Sequence, residues 1–278
     1  MGLRISTNAA SLTASRLLTK NSEDQARSYE KLASGQRINH SADDAAGLAI
    51  SESLRSQVRS MAQAERNAND SISFAQVAEG GLTEVSNILI RLRELGIQAA
   101  SDTIGDRERG YISEEVRSLL QEVDRISNVT NFNGTPLLNA QAPKGRLQFQ
   151  VGIQSGEQDR IEFDTEAYDV RTNTLGIDTL GFESIDGAYE GLNRIDDAMG
   201  KVLSVRSSIG ALQNKLQSTV RTLGLTRENL SIARSRIADT DLAAETSELV
   251  RANILHQSGI AVLAQANTAP SQALKLIM

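Results

Sequence analysis

An unbroken seven-residue repeat of aliphatic side chains runs through the later part of this 278-residue chain. Its members are Ile195, Val202, Ile209, Leu216, Leu223, Leu230 and Ile237. An α-helix turns once in about 3.6 residues, so a strict seven-residue repeat keeps one stripe against a partner only when helices wind around each other. The repeat therefore predicts a long helix at 185–238 that needs helical partners.

Two further helices are predicted to provide those partners. A second seven-residue repeat comprises Leu54, Met61, Ala68, Ala75, Leu82 and Leu89. It predicts a helix at 44–99 that continues through Gly80 and Gly81, although glycine is a poor helix former. Apolar residues spaced four and three apart predict a third helix at 107–129. We expect the three helices to share one core.

A capping sequence marks the start of the helix at 44–99. Ser41 and Asp44 fit the pattern in which a hydroxyl and a carboxylate satisfy the first N–H groups of a helix. A divalent-ion site at Asp43 and Asp44 is the alternative interpretation. Because the N-terminal end of a helix dipole favours negative charge, capping is preferred.

The middle of the chain differs from the helical parts. Apolar residues alternate with polar residues or glycine at 147–153 and again at 161–163, on either side of a turn. Alternation with a period of two is typical of strands, so these runs predict a β-hairpin. Asn133-Gly134 adds a tight-turn signal. We expect a small strand-and-loop region at 131–182 that closes one end of the bundle.

Composition and missing motifs exclude several classes of function. The net charge of −6 argues against a nucleic-acid partner, because phosphate binding needs clustered Lys and Arg. There is no Cys, and His40 and His256 lack any metal-ligand spacing, so no metal site is expected. Zinc-protease, phosphate-loop, serine-hydrolase and dinucleotide motifs are missing. We therefore expect no catalytic residues, no cofactor and no enzyme.

The two ends of the chain are apolar but have no evident core of their own. The last thirty residues contain two Lys or Arg residues and no Asp or Glu, and no stretch is long and apolar enough for a membrane span. An interfacial membrane anchor would need a strongly charged face, so packing against protein is preferred. The residues expected to carry such packing are Ile5, Leu12, Leu18, Leu32, Leu249, Ile254, Leu263 and Leu274.

Six short motifs are spread over nearly the whole chain. They are LASGQRIN at 32–39, ADDAAG at 42–47, RNAND at 66–70, NFNG at 131–134, SRIAD at 235–239 and VLAQAN at 262–267. Together these motifs closely resemble those of the bacterial flagellins, the subunits of the flagellar filament. The match is long and specific.

The resemblance implies a mainly α fold in three parts. Residues 1–43 and 238–278 would be N- and C-terminal inner-core helices that form a coiled coil. Residues 44–237 would be a long, rod-like antiparallel helix bundle with the β-hairpin region at 131–182. Many flagellins carry variable outer domains between the two halves, and this chain resembles a minimal form that lacks them.

The resemblance also implies a function and a set of partners. The chain would be exported without a signal peptide by the flagellum-specific type III apparatus and would polymerise into the extracellular filament used for swimming. Its partners would be copies of itself, an export chaperone at the C-terminal helix, the filament cap and hook-associated proteins. Two alternatives stay open: a hook-filament junction protein and a cytosolic coiled-coil adaptor.

One surface patch matches a known recognition feature of the family. A Toll-like receptor reads an Arg-x-Arg-Glu-Leu-x-x-Gln pattern, and the matching residues here are Arg91, Arg93, Glu94, Leu95 and Gln98, with Glu115 on the neighbouring helix. Ile90 stands where receptor-activating members usually have Gln, and Leu119 where they often have Arg. A solvated helix face is the alternative, so the resemblance leaves receptor binding open.

Overall fold

The structure, a computed structural model, is mainly helical, as predicted. It describes residues 7–141 and 145–277, without the side chains of 269–277. The helices are α1 Ala9–Ser34, α2 Ala45–Ala99, α3 Asp106–Val129, α4 Thr172–Leu175, α5 Ile185–Ala238 and α6 Leu242–Ile277. The strands are β1 Asn131–Phe132, β2 Thr135–Pro136, β3 Arg146–Gln150 and β4 Arg160–Asp164, with a 3-10 turn at Glu157–Asp159. The chain forms two compact units, residues 59–227 and residues 1–58 with 228–278.

One hydrophobic cluster fills the unit at 59–227, and the two seven-residue repeats supply much of it. Its seam on α5 consists of Ile195, Val202, Ile209 and Leu216, each at most 1% exposed. Its seam on α2 consists of Ala68, Ala75, Leu82 and Leu89, each fully buried. Burying one large aliphatic side chain stabilises a fold by about 1.5–3 kcal/mol. This part of the repeat therefore packs within the chain.

Polar contacts along the edge of this core give the direction of the helices. They join Arg93 to Asp196 at 2.7 Å, Glu79 to Gln213 at 2.8 Å and Glu65 to Arg227 at 2.9 Å. Position numbers rise along α5 as they fall along α2, so the two helices are antiparallel, as predicted. Helix α2 also continues through Gly80 and Gly81, as predicted.

The predicted β-hairpin is present. Strands β3 and β4 are antiparallel, with Leu147 opposite Phe163 and Phe149 opposite Ile161. Before them, β1 and β2 pair around the turn at 133–134, where both residues have positive φ. Asn and Gly adopt this left-handed backbone more readily than other residues.

An aromatic side chain of α2 anchors this region to the core. Phe74 is 4% exposed and makes edge-to-face contacts with Phe132, Phe149 and Phe163, at ring-centroid distances of 5.7, 5.2 and 4.7 Å. This geometry suits the opposite partial charges of ring edges and faces. The strand region is thus part of the same core as the long helices.

Candidate functional site

The terminal helices α1 and α6 lie side by side in the unit formed by residues 1–58 and 228–278. Asn8, which caps α1, contacts Ala266, and Asn21 contacts Ala252. Position numbers fall along α6 as they rise along α1, so the pair is antiparallel. The predicted pairing of the terminal helices is confirmed.

Polar and small residues form most of the seam between α1 and α6. On α1, partly or fully buried positions recur at spacings of three and four: Ser11, Ala14, Leu18, Asn21, Gln25, Ser28 and Leu32. On α6 the corresponding positions are Leu249, Ala252, His256, Gly259, Leu263 and Ala266. A Cβ atom added at Gly259 would lie 3.1 Å from Leu18 Cδ1, so the helices approach closely there.

Side-chain hydrogen bonds cross this seam at four levels. They run from Asn8 Nδ2 to Ala266 O (2.7 Å), from Ser11 Oγ to Asn267 Oδ1 (2.8 Å), from Asn21 Nδ2 to Ala252 O (2.8 Å), and from Gln25 Nε2 to Asn253 Oδ1. These hydrogen-bonding residues were not predicted from the sequence, where the expected assembly residues were all apolar. The available signal was that Ser11, Asn21 and Gln25 recur at helical spacing.

Large apolar side chains lie on the outward faces of the pair. They include Leu12 and Leu17 on α1, each 61% exposed, and Ile254, Leu255, Ile260 and Val262 on α6, 49–58% exposed. Among the side chains described in α1 and α6, only Ser28 and Ala252 are buried. The pair therefore buries few side chains completely and presents several large apolar residues to solvent.

The eight residues expected to carry assembly are divided between these two surfaces. Leu12 and Ile254 point outward. Half-buried positions along the seam are held by Leu18, Leu32, Leu249 and Leu263. Ile5 and the side chain of Leu274 lie outside the described residues. Whether each of these residues contacts another copy stays a prediction.

The two connectors that join the terminal helices to the rest of the chain bind each other. Gly35 ends α1 with a φ of 68°, a left-handed conformation that suits glycine. Beyond it, Arg37 N donates to Ala238 O (2.7 Å), and Thr240 N donates to Gly35 O (3.0 Å). The 35–37 and 238–240 segments thus form a short antiparallel ladder.

The carboxylate of Asp43 organises the first connector. Its Oδ2 accepts hydrogen bonds from His40 N (3.0 Å) and Asn39 N (3.2 Å). These backbone donors, that of His40 first, hold the pKa of Asp43 below its ordinary value. Asp43 is therefore engaged with the backbone of its own loop.

The start of α2 differs in one respect from the predicted capping box. The helix begins at Ala45, and Asp44 Oδ1 accepts from Gly47 N at 2.8 Å, so Asp44 is itself the N-cap and Ser41 lies outside the helix. A Cβ atom at Gly47 would lie 2.7 Å from Ile38 Cδ1. Ile38 is 4% exposed, so glycine makes room for this buried contact.

The predicted receptor patch lies in the unit at 59–227, and most of it is on the surface. Arg91 forms ion pairs with Glu115 (2.8 Å) and Glu94 (3.0 Å), and Arg93 pairs with Asp196. Gln98 is exposed. Hydrogen bonding to Glu115 and then to Glu94 raises the pKa of Arg91.

Leu95 differs from the other members of the patch. It is 1% exposed and belongs to the core, because it sits on the inward side of α2. The surface that a binding partner would meet is therefore polar and charged.

No group of three His, Asp or Glu side chains that could hold a metal ion occurs within 7–141 and 145–277. In the same part of the chain, no helix is long and apolar enough to cross a bilayer.

Comparison with known proteins covers both halves of the chain. The family model described as the bacterial flagellin N-terminal helical region matches residues 5–142, and the model of the C-terminal helical region matches residues 192–277. Flagellin from Halalkalibacterium halodurans is 40% identical, with 98% of this chain and 99% of that protein covered. Flagellin from Bacillus subtilis is 37% identical, with 99% and 100% covered.

Further relatives and solved structures agree with these matches. A protein from Treponema maltophilum named flagellar filament 30.7 kDa core protein is 38% identical, with 98% of this chain and 99% of that protein covered. The crystal structure of Bacillus cereus flagellin has a TM-score of 0.50 at 26% identity and covers 57% of this chain and 88% of that one. The family models and full-length relatives together show that this chain belongs to the bacterial flagellin family.

Proposed function

We propose that the chain is a structural subunit that polymerises into the bacterial flagellar filament. The observation that carries this function is the terminal helix pair, which leaves its apolar side chains in solvent and has almost no core of its own. Full-length relatives named flagellin or flagellar filament core protein support it. The function contains no catalytic step, cofactor or metal.

Assembly buries the outward faces of α1 and α6 against other copies. Full burial of one large aliphatic side chain contributes about 1.5–3 kcal/mol, so the exposed aliphatic residues of the pair provide a substantial driving force. A filament needs contacts between two different surfaces of neighbouring subunits, repeated without closing into a ring. The outward faces of the two helices differ in sequence and provide two such surfaces.

The domain boundaries follow from this function as part of the proposal. Residues 1–43 and 238–278 form the inner core of the filament, and residues 44–237, with the β-hairpin region at 131–182, lie outside it. The lack of an inserted domain between α3 and α5 makes this a minimal flagellin with a thin outer surface.

Export and capping partners complete the proposal. The chain is secreted by the type III route and acts outside the cell. An export chaperone covers the apolar faces of α6 until export, and the cap and hook-associated proteins meet the ends of the filament. A Toll-like receptor would bind the charged surface of Arg91, Arg93, Glu94, Gln98 and Glu115, in which Leu95 plays only a supporting role.

Removal of the C-terminal helix tests the function directly. A chain that ends at Glu248 loses most of α6, and we expect it to form no filaments by sedimentation and electron microscopy. Point variants sharpen the test: Leu12→Glu with Ile254→Glu should abolish assembly, and Leu12→Met with Ile254→Leu should preserve it. Filaments of normal length from the truncated chain would contradict the proposal.

Two measurements separate the alternatives. A filament subunit is the major protein of sheared appendages, whereas a hook-filament junction protein is a minor one. A coiled-coil adaptor would stay in the cytoplasmic fraction of motile cells. The names of the full-length relatives favour the filament subunit.

A further inference from the structure

We propose that Asn8 and Asn21 are positioning residues that fix the register of α1 against α6, so that the outward apolar faces of the two helices align as one surface. The inference rests on the proposed function and deepens it. Many seam residues, such as Ala14 and Ser28, are too small or too polar to select one register by shape. Directional contacts can supply that selection, and buried amides are known to fix register in coiled coils.

Asn8 meets a carbonyl that the helix itself leaves without a donor. In an α-helix the carbonyl of residue 266 would accept from the N–H of residue 270, but residue 270 is proline, which has no N–H. Asn8 Nδ2 donates to Ala266 O at 2.7 Å, and Asn8 Oδ1 accepts from Ser11 N at 3.1 Å to cap α1. One side chain thus caps the start of α1 and provides a donor for a backbone carbonyl of α6.

Asn21 provides the second fixed point. Its Nδ2 donates to Ala252 O at 2.8 Å, and Ala252 is one of two buried residues among the described side chains of α1 and α6. A slip of α6 by seven residues would move every contact by about 10.5 Å. It would leave the partly buried Ala266 O without Asn8, and a polar group that is shielded from water and unpaired is unfavourable.

The register determines which apolar residues stand next to each other. Leu18 contacts Gly259 in the seam, and the adjacent residues Leu17 and Ile260 are both exposed, at 61% and 49%. Because Leu18 lies against Gly259, these two exposed side chains are at the same level along the pair. A slipped pair would offer neighbouring subunits a different surface.

Paired cysteines report the register, since the natural chain has none. Leu18→Cys with Gly259→Cys reports the observed register, and Leu18→Cys with Ala252→Cys or Ala266→Cys reports a slip of seven residues either way. Each full-length chain is treated with a short bifunctional thiol reagent, and denaturing gels separate crosslinks within one chain from dimers. The in-register crosslink should exceed the slipped ones by at least about tenfold, equivalent to about 1.4 kcal/mol.

Substitutions at these residues then distinguish a change in the register of the pair from a loss of its stability. Asn8→Ser keeps a capping oxygen but is too short to reach Ala266, and Asn21→Leu keeps or strengthens apolar packing. Together they should lower the ratio of in-register to slipped crosslinks about tenfold, while the total amount of crosslinking stays unchanged. Pro270→Ala should lower the ratio by a smaller factor, because it restores the missing N–H donor for Ala266 O within α6. Asn214→Leu, an exposed site on α5, is the control.

Three outcomes would overturn the proposal: a ratio that stays constant in the variants, a parallel loss of all crosslinks, or no preference in the parent chain. Failure of the proposed function is visible separately, because it would appear as a cysteine-free parent chain that does not sediment as filaments. The crosslinks on soluble subunits still test the register in that case.

Discussion

Adjacent glycines in α2 have opposite surroundings, and this gives a matched pair of substitutions. A Cβ atom at Gly80 would meet nothing within 4 Å, whereas one at Gly81 would lie 2.7 Å from Thr130 Oγ1 and 2.9 Å from Leu138 Cδ1. Gly80→Ala should raise the free energy of unfolding by about 0.5–1 kcal/mol, because alanine restricts the unfolded chain and favours the helix.

Gly81→Ala should forfeit that gain or destabilise the protein. Thr130 Oγ1 is held by a hydrogen bond to Ile126 O at 2.7 Å, and Leu138 is fully buried, so neither moves freely. Denaturant unfolding of the two variants provides the measurement. Equal stabilisation by both would show that the contact at Gly81 is not tight.

Asp43 gives a prediction about pH. Because its pKa is lowered in the folded protein, its hydrogen bonds to the connector stabilise the fold fully above the pKa of the unfolded state. This contribution is lost as the pH falls through the lowered pKa. Asp43→Asn should therefore be less stable than the parent near neutral pH, and the difference should vanish in acid.

Carboxyl titration by NMR and thermal unfolding as a function of pH measure this effect. Asp102→Asn, at an exposed residue between α2 and α3, provides the control. A pKa for Asp43 at or above its ordinary value would refute the prediction.

At the scale of elements, the sequence specified the long helices almost to the residue. The predicted helix at 185–238 has the bounds of α5, and the helix predicted at 44–99 begins one residue later as α2. Uninterrupted seven-residue repeats and the lack of proline within them suffice for this. The hairpin was also predictable from the sequence, because Phe149 and Ile161 lie in runs where apolar residues alternate with polar ones.

The orientation of the terminal helices could not be read in the same way. Leu12 and Leu18 are equally apolar, yet the first faces solvent and the second faces α6. An apolar residue in a sequence does not specify whether its partner belongs to the same chain or to another copy. The helical spacing of Asn21 and Gln25 marks them as one face of α1, but it does not identify their hydrogen-bonding partners on α6, which are more than 200 positions away.

The repeat on α5 also changes character along its length. Ile195 to Leu216 are buried, but Leu223, Leu230 and Ile237 are only half-buried. The intervening seam positions include Thr219 and Thr226, which bury less apolar surface than leucine does. Members of one strict repeat can thus contribute unequally to the free energy of folding.

This difference predicts unequal costs of truncation along one helix. Leu216→Ala should lower the free energy of unfolding by about 2–5 kcal/mol, because it removes transfer energy and leaves a cavity. Leu225→Ala, at a side chain that is 64% exposed, should change it by about 0.5 kcal/mol or less. Calorimetric unfolding of unassembled subunits makes the comparison, and equal costs would contradict the burial pattern.

At the scale of the whole molecule, the cluster of apolar residues is confined to the unit at 59–227. Amide hydrogen exchange in dilute subunits should therefore be slow in the α2, α3 and α5 segments of that unit and fast in α1 and α6, since protection follows local burial. In sedimented filaments, α1 and α6 should become protected by at least about a hundredfold, which corresponds to about 2.7 kcal/mol.

Mass spectrometry of peptides from the two states measures this change, and peptides around Phe163 serve as an internal control because that side chain is fully buried in the subunit. Strong protection of α1 and α6 in dilute subunits would mean that the pair is stable without neighbours.

The ladder between the two connectors has a mechanical consequence. In a rotating filament, torque would pass between the terminal helices and the rest of each subunit through two covalent connectors, one at 35–44 and one at 239–241. Arg37 N donates to Ala238 O and Thr240 N donates to Gly35 O, so hydrogen bonds join the two connectors next to the ends of α1 and α5. A pulling force on one connector is then shared with the other connector, because both hydrogen bonds are loaded in shear at the same time. The two connectors therefore resist a pulling force together and not one at a time.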